Sequence, residues 1–210
     1  MTITAAADGS ALGNPGPAGW AWYVDDEHWG SGGWALSTNN RGELQAVLEL
    51  FRATAHLDED LLVLCDSQYA INCVTKWMPG WKAARWRKRD GSPVLNVDIL
   101  ELLDEELRGR RYRFEWVRGH SGHELNEAAD ERARAAAESY QRGALAPTGP
   151  GWSSAPAPSA EPVIPPALFD LDDPDPVEVV LELSPDEHER LRQRAHDAGV
   201  SPEAWLRAQI

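Results

Sequence analysis

Apolar and polar positions along the chain repeat with two different periods, and the switches between them divide it into elements. Thr2 to Ala7 is a short, mostly apolar run, expected to be a strand, and it enters a turn dense in Gly and Pro, Asp8 to Pro17. Gly19 to Val24 and Trp29 to Ser37 flank the polar Asp25-Asp26-Glu27 and predict a hairpin. Leu44, Val47, Leu48, Phe51 and Ala55 recur at helical spacing behind the start signal Ser37-Thr38-Asn39-Asn40, which predicts an amphipathic helix over 41–56 with Glu43 in its first turn. Leu61 to Cys65 is continuously apolar, as a buried central strand is, and ends at Asp66. Helix resumes over Ser67 to Val74. Val97, Leu100, Leu103 and Leu107 mark another helix, and Tyr112 to Val117 a last strand. Beyond the loop Gly119-His120-Ser121-Gly122-His123, helix is expected from Glu124 to Tyr140, with Asp130 in its second turn. A strand, a covering helix and a second strand imply a parallel pair, so the class is α/β.

The pattern breaks at Gly143. Nine of the fifteen prolines fall between Gly143 and Pro176, among Ala, Ser, Gly and, near the end, four aspartates. This composition predicts a solvated, rather stiff linker over 143–176. Patterning returns with Val177 to Leu183, a strand, then the capping box Ser184-Pro185-Asp186-Glu187, a helix stopping at Gly199, and a second helix from Ser201. The expected organisation is a main domain over 1–142, the linker, and a small unit over 177–210 that cannot bury a core alone.

Charge sharpens this picture. The net charge is −14, but residues 1–143 carry 16 Lys and Arg against 22 Asp and Glu, while residues 144–210 carry 4 against 12. Within the first part, Ser67 to Arg89 contains Lys76, Lys82, Arg85, Arg87, Lys88 and Arg89 and no acid. Such a patch suits phosphates despite the acidic mean. Two cysteines, Cys65 and Cys73, give no disulfide framework. No apolar run approaches the ~20 residues of a membrane span, and the N-terminus lacks a basic-then-apolar leader pattern. A cytoplasmic protein with no membrane partner is expected.

The acids carry the candidate chemistry. Asp8 and Asp66 are expected at the ends of two parallel neighbours, Glu43 on the helix joining them, and Asp130 on a late helix behind a glycine-flanked histidine. Taken singly, Asp8 could open a turn, Glu43 complement a helix dipole, and Asp130 be a surface charge. Together they converge beyond the carboxyl ends of the central strands, where sites form in such sheets. Carboxylates gathered there repel one another unless a divalent cation joins them, and oxygen ligands suit Mg²⁺ or Mn²⁺ rather than zinc. Two such ions held close together are a common arrangement for cutting phosphodiesters.

Four stretches then become recognisable: Asp8-Gly9-Ser10 with Gly13-Asn14-Pro15-Gly16, Thr38 to Leu44, Asp66-Ser67-Gln68-Tyr69, and Gly119 to His123 followed by Asn126, Glu127 and Asp130. In order and spacing they resemble the bacterial type 1 ribonuclease H family, over about residues 1–140. The resemblance implies a ribonuclease H fold, a five-stranded mixed sheet with helices on both faces. It implies hydrolysis of the RNA strand of RNA–DNA hybrids by two Mg²⁺ ions, with Mn²⁺ able to substitute, leaving 5′-phosphate and 3′-hydroxyl ends. On that resemblance Asp8 touches both ions, Glu43 and Asp66 hold the first, Asp130 holds the second, and His120 assists proton transfer or product release. His123 is expected to be structural, capping or hydrogen-bonding near the helix start. Asn14, Asn39, Asn40 and Gln68 match residues used in the hybrid's minor groove, where the 2′-hydroxyl distinguishes RNA, and Thr38 one that contacts a DNA phosphate. Lys76 to Arg89 matches a basic protrusion, with Trp77 near the DNA strand and Lys82, Arg85 and Lys88 meeting phosphates, while Trp81 and Trp86 are expected to pack. Two departures stand out: Ala7 replaces a hydroxyl residue, and Gly42 replaces a bulky one and is expected to loosen the first helical turn by about 1 kcal/mol.

The unit at 177–210 resembles a ribbon-helix-helix module, a fold that exists as a dimer. Glu178 and Glu182 on its outward strand face argue against DNA, so the expectation is a homodimerisation module that tethers two nuclease domains. The rival functions are a catalytically weak hybrid-binding protein and a regulator acting through this module.

Overall fold

The computed structural model of the chain describes residues 2–152, and the 177–210 unit and most of the 143–176 stretch lie outside the described residues. Strands β1 (Thr2–Ala11), β2 (Gly16–Asp25), β3 (His28–Ser37), β4 (Asp60–Cys65) and β5 (Tyr112–Trp116) form one sheet in the order β3-β2-β1-β4-β5. The first three are an antiparallel meander, while β1–β4 and β4–β5 are parallel pairs. Helix α1 (Asn39–Ala53) crosses from β3 to β4, so the predicted parallel pair with helical cover is present.

Side-chain alternation assigns the two faces. Ala5, Ala7, Leu61, Val63 and Cys65 join α1 residues Leu44, Val47, Leu48 and Phe51 in the main core, with α4 (Val97–Glu106) contributing Ile99, Leu100 and Leu103. Ala6 and Leu64 point the other way, to α5 (Glu124–Gln141) at Ala129. Near-continuous burial of both central strands, with successive side chains sent to opposite faces, is what a sheet covered on both faces requires.

Three boundaries differ from the sequence reading. Strand β1 does not end before Asp8; it runs on to Ala11, because β2 continues to pair with Asp8, Gly9, Ser10 and Ala11 after β4 has stopped. Helix α1 begins at Asn39, which puts Glu43 in its second turn. The helix begun by α2 (Gln68–Asn72) widens into a π-helical turn over Cys73–Trp77 and continues as α3 (Met78–Ala83), so half of the basic stretch is helical. Arg85 and Trp86 then take left-handed backbone (φ 53 and 59) and turn the chain into a loop closed by Lys88 N–H donating to the Ser92 carbonyl and Val94 N–H to that of Trp86.

The start of the Pro-rich stretch is docked. Ser31 N–H donates to the Thr148 carbonyl, Ser31 Oγ to that of Pro147, and Gly151 N–H to that of Trp29. Trp152 lies against His28 with ring centroids 4.4 Å apart. Residues 147–152 thus form a strap along the outer edge of β3.

Candidate active site

Glycine contacts set how close the acids can come. An added Cβ on Gly9 would lie 2.3 Å from Glu43 N, and one on Gly42 would lie 2.7 Å from the Gly19 carbonyl oxygen. The backbone of α1 therefore rests directly on β1 and β2. By alternation Asp8 shares the α5 side of β1 with Ala6, and Glu43 arrives from the α1 side over the bare backbone of Gly9. Gly42 is a point of contact here, so the expected loosening of the helix is replaced by a packing requirement. On the other face Gly19 lets α5 approach as closely, its hypothetical Cβ 2.0 Å from the Ala133 carbonyl oxygen. That contact, one turn after Asp130, brings Asp130 to the same edge.

Asp8, Glu43 and Asp66 converge, with carboxylate oxygens within 4.8 Å of one another. Asp8 and Glu43 are each only 4% exposed. Asp130 stands outside this trio but close enough for its charge to act on both Asp8 and Asp66. The His120 Nδ1 lies 3.4 Å from Asp130 Oδ2, on a side chain 80% exposed and a backbone with φ 51. His120 is thus at the open side of the cluster, on a strained loop.

Burial dominates the electrostatics. It pushes the Asp8 carboxyl up to about 8, with Asp66 and Asp130 adding to the rise and the Gly9 N–H, 2.7 Å from Oδ1, opposing it. Glu43 is driven well above the usual range by burial and then by Asp8 and Asp66. Asp66 is raised by burial and by Asp130, against the pull of His120 and of Asn126. Cys65, beneath them, is held as a thiol by burial and by Glu43.

No cation among the described residues pairs with Asp8, Glu43 or Asp66. Glu43 Oε2 is buried with no hydrogen-bond partner. An all-oxygen cluster with an orphaned acceptor at its centre fits a hard divalent cation.

Three residues that hold this arrangement escaped the sequence reading. Asn126, almost fully buried, lies beside Asp66 and favours its ionised form. Trp116 donates its indole N–H to the Asp66 carbonyl at 3.0 Å. Gly119 leaves room for Asp66, whose Oδ2 would sit 2.3 Å from a Cβ there. Gly119 and Asn126 belong to the histidine-loop motif without a spacing that assigns them a role, and Trp116 belongs to no motif; all three act through contacts that no spacing rule reports. His123 occupies the N-cap position of α5, but its ring makes no capping bond and its Nδ1 is buried without a partner. Glu127 instead ties the preceding loop to the helix, its Oε1 accepting from Gly122 N–H at 2.6 Å.

The expected substrate residues surround the cluster. Asn14 Oδ1 accepts from Asn39 N–H at 3.3 Å, and Asn39 Nδ2 donates to Glu43 Oε1 at 3.1 Å, tying the β1–β2 turn to the site. Thr38 caps α1, its hydroxyl accepting from Arg41 N–H. Asn40 and Gln68 are exposed. Lys76, Trp77, Trp81, Arg87, Lys88 and Arg89 border a groove of about 350 Å³, and Trp81 and Trp86 pack on the core. Arg85 and Lys88 are exposed. Lys82 instead is engaged by Asp104, Nζ to Oδ1 at 2.6 Å.

Comparison with known proteins gives a consistent picture. The family model for RNase H matches residues 1–138. A ribonuclease H of Tropheryma whipplei (strain Twist) is 53% identical over 151 residues, 72% of this chain and 94% of that protein. One from Proteus mirabilis is 44% identical over 135 residues, 63% of this chain and 84% of its own. Among solved structures, LC9-RNase H1, a type 1 RNase H, superposes with TM-score 0.58 at 27% identity, covering 72% of this chain and 77% of that one. A foamy viral protease-reverse transcriptase in complex with an RNA/DNA hybrid shares the fold, with TM-score 0.57 at 16% identity over 64% of this chain and 20% of that one.

Proposed function

The chain belongs to the RNase H family, and from that premise we propose that Asp8, Glu43, Asp66 and Asp130 hold two divalent ions, Mg²⁺ with Mn²⁺ able to replace it, and cut the RNA strand of an RNA–DNA hybrid to 5′-phosphate and 3′-hydroxyl ends. The observation that carries this reading is the convergence of three carboxylates within 4.8 Å, two of them buried and none paired with a cation among the described residues. The bound ions would supply activation of the attacking water and charge neutralisation at the leaving oxygen.

The protein's own part is positioning. Asp8, fixed by the β2 ladder and by Gly9 N–H, faces both Asp66 and Asp130 and is the natural shared ligand. Glu43 and Asp66 complete one side, Glu43 oriented by Asn39 and Asp66 by Asn126 and Trp116. His120, outside the trio and beside Asp130, can take or give a proton at Nδ1 or Nε2 where solvent reaches it. Asn14, Asn39, Asn40 and Gln68 offer amides that both donate and accept, as a 2′-hydroxyl requires. The exposed Lys76, Arg85, Arg87, Lys88 and Arg89, with Trp77, meet the phosphates of the duplex, while Lys82 is held by Asp104.

The test is cleavage of a labelled RNA–DNA hybrid with Mg²⁺ by the native protein and by Asp66→Asn. Native cleavage with loss in the variant is expected; intact RNA, or equal cutting by both, would refute the reading. We propose further that 1–142 is the catalytic unit, 143–176 a linker and 177–210 a homodimerisation module, in a cytoplasmic protein. Sedimentation of the full chain tests the last point, and a monomer would refute it. Among the described residues no helix is long and apolar enough to cross a membrane.

A further inference from the structure

A second groove, of about 270 Å³, opens on the other side of Lys76 from Trp77, between the helix at Gln68, Ile71 and Asn72 and the end of β5 at Trp116. Its position is fixed by the catalytic cluster. Trp116 follows β4's neighbour strand to its end, opposite Cys65, and its indole N–H holds the carbonyl of Asp66. Gln68 is two residues past the same aspartate. Although tied down at its nitrogen, Trp116 is 51% exposed. A large ring anchored by its polar edge and bare on the rest is a contact surface, and sequestering it would remove substantial apolar area from water. Lys76 is exposed and makes no ion pair among the described residues, in contrast to Lys82, which Asp104 neutralises. The groove therefore combines an aromatic wall, two amides and one ammonium free of ion pairs among the described residues, within a few residues of the carboxylate cluster. That is the chemistry of a ribonucleotide: a sugar to lie on the ring, a 2′-hydroxyl for an amide, a phosphate for the cation.

We propose that this groove is a subsite for the RNA strand, in which Trp116 packs against a ribose next to the cleavage site and Lys76 binds that nucleotide's phosphate. The proposal rests on the hybrid-cleaving reading above and extends it. Lys76 then forms the ridge between the two strands, with RNA on the Trp116 side and DNA on the Trp77 side. Trp116 has a second task, since its hydrogen bond makes the placement of Asp66 responsive to what lies on the ring.

Fluorescence anisotropy of a labelled hybrid in EDTA, across a range of salt, measures the subsite without the reaction. Lys76→Gln is expected to weaken binding by about three- to ten-fold near 0.1 M salt and to reduce the log–log salt slope by about one. With Mg²⁺ the same variant shows a raised KM with kcat within about two-fold of native, because the lost contact binds substrate and transition state alike. Trp116→Ala weakens binding comparably, and Trp116→Phe, which keeps a ring but not the N–H, recovers it. Single methylphosphonate linkages walked along each strand locate the contact: native protein loses affinity at one RNA linkage beside the cut, and Lys76→Gln does not respond there. Native affinity in Lys76→Gln, or a response confined to DNA linkages, overturns the subsite. Lys76 is exposed and free of ion pairs among the described residues, so its variant decides even if Trp116→Ala fails to fold. Absence of cleavage by the native protein would instead overturn the enzyme reading.

Discussion

Asp8 sets the chemistry and the cost of the site together. With its carboxyl raised to about 8 from an ordinary 3.8, it is protonated in the folded metal-free protein at pH values where the unfolded chain has lost that proton. Its contribution to stability is therefore full below about pH 4 and disappears as pH rises toward 8. Glu43 and Asp66, raised by the same crowding, act in the same direction. The metal-free protein is expected to melt at progressively lower temperature between pH 5 and pH 8 where these groups dominate. Added Mg²⁺ should raise the melting temperature more at pH 8 than at pH 6, since the ion binds the ionised forms. Asp8→Asn removes one member of the repelling set: cleavage is abolished, while the metal-free melting temperature at pH 8 rises by about 3 °C or more in thermal unfolding. His120 has a different signature. It lies at the exposed margin beside Asp130, so His120→Ala is expected to lower kcat by about 10²-fold and to leave hybrid affinity in EDTA unchanged.

At the scale of elements, the site depends on how closely two helices approach one sheet. Gly42→Ala would be favoured by helix propensity by about 1 kcal/mol, yet its Cβ would press on the Gly19 carbonyl at 2.7 Å. Overpacking of this kind costs about 1–3 kcal/mol. Denaturant titration should find Gly42→Ala less stable than native, and steady-state assays should find it slower, because Glu43 is the next residue. This is also where sequence reading reached its limit. The strands, the helix carrying Glu43, the central strand ending before Asp66 and the late helix bearing Asp130 were legible, because each is a run of apolar positions with one period. Beyond that, β1 passes through Asp8 because β2 pairs with it, and a Gly- and Pro-rich stretch conceals that pairing. Gly42 reads locally as a weak helix residue, since its partners Gly9 and Gly19 are contacts between elements. The roles of Trp116 and Asn126 are hidden for a related reason: both act on Asp66, Trp116 lies outside every motif, and the motif that contains Asn126 does not say what it touches. The motif resemblance supplied the candidate ligands, and the structure supplies what orients them.

Over the whole molecule, the uneven charge has a measurable consequence. The basic stretch belongs to a domain with an excess of acids elsewhere in its sequence, so hybrid binding should weaken with salt at a slope set by few contacts. Arg85→Gln and Lys88→Gln are each expected to lower that slope by about one in anisotropy titrations, whereas Lys82→Gln, already neutralised by Asp104, should change it little. The strap along β3 bears on a different property. Chain ends at 142 and 152 differ by the segment that engages Trp29 and Ser31, so a protein ending at 142 should melt lower and scatter more light on heating than one ending at 152. The reason lies in what the strap withholds. It accepts from Ser31 N–H and donates to the Trp29 carbonyl, as another strand would, but Pro147 and Pro150 have no N–H to offer onward. Gly149, at φ 75, bends away over the Trp29 ring. A sheet edge is a template that copies itself onto any chain laid beside it. Here the template is occupied by a segment that cannot be copied, which keeps the β3 edge of a tryptophan-rich sheet from pairing with the edge of another molecule.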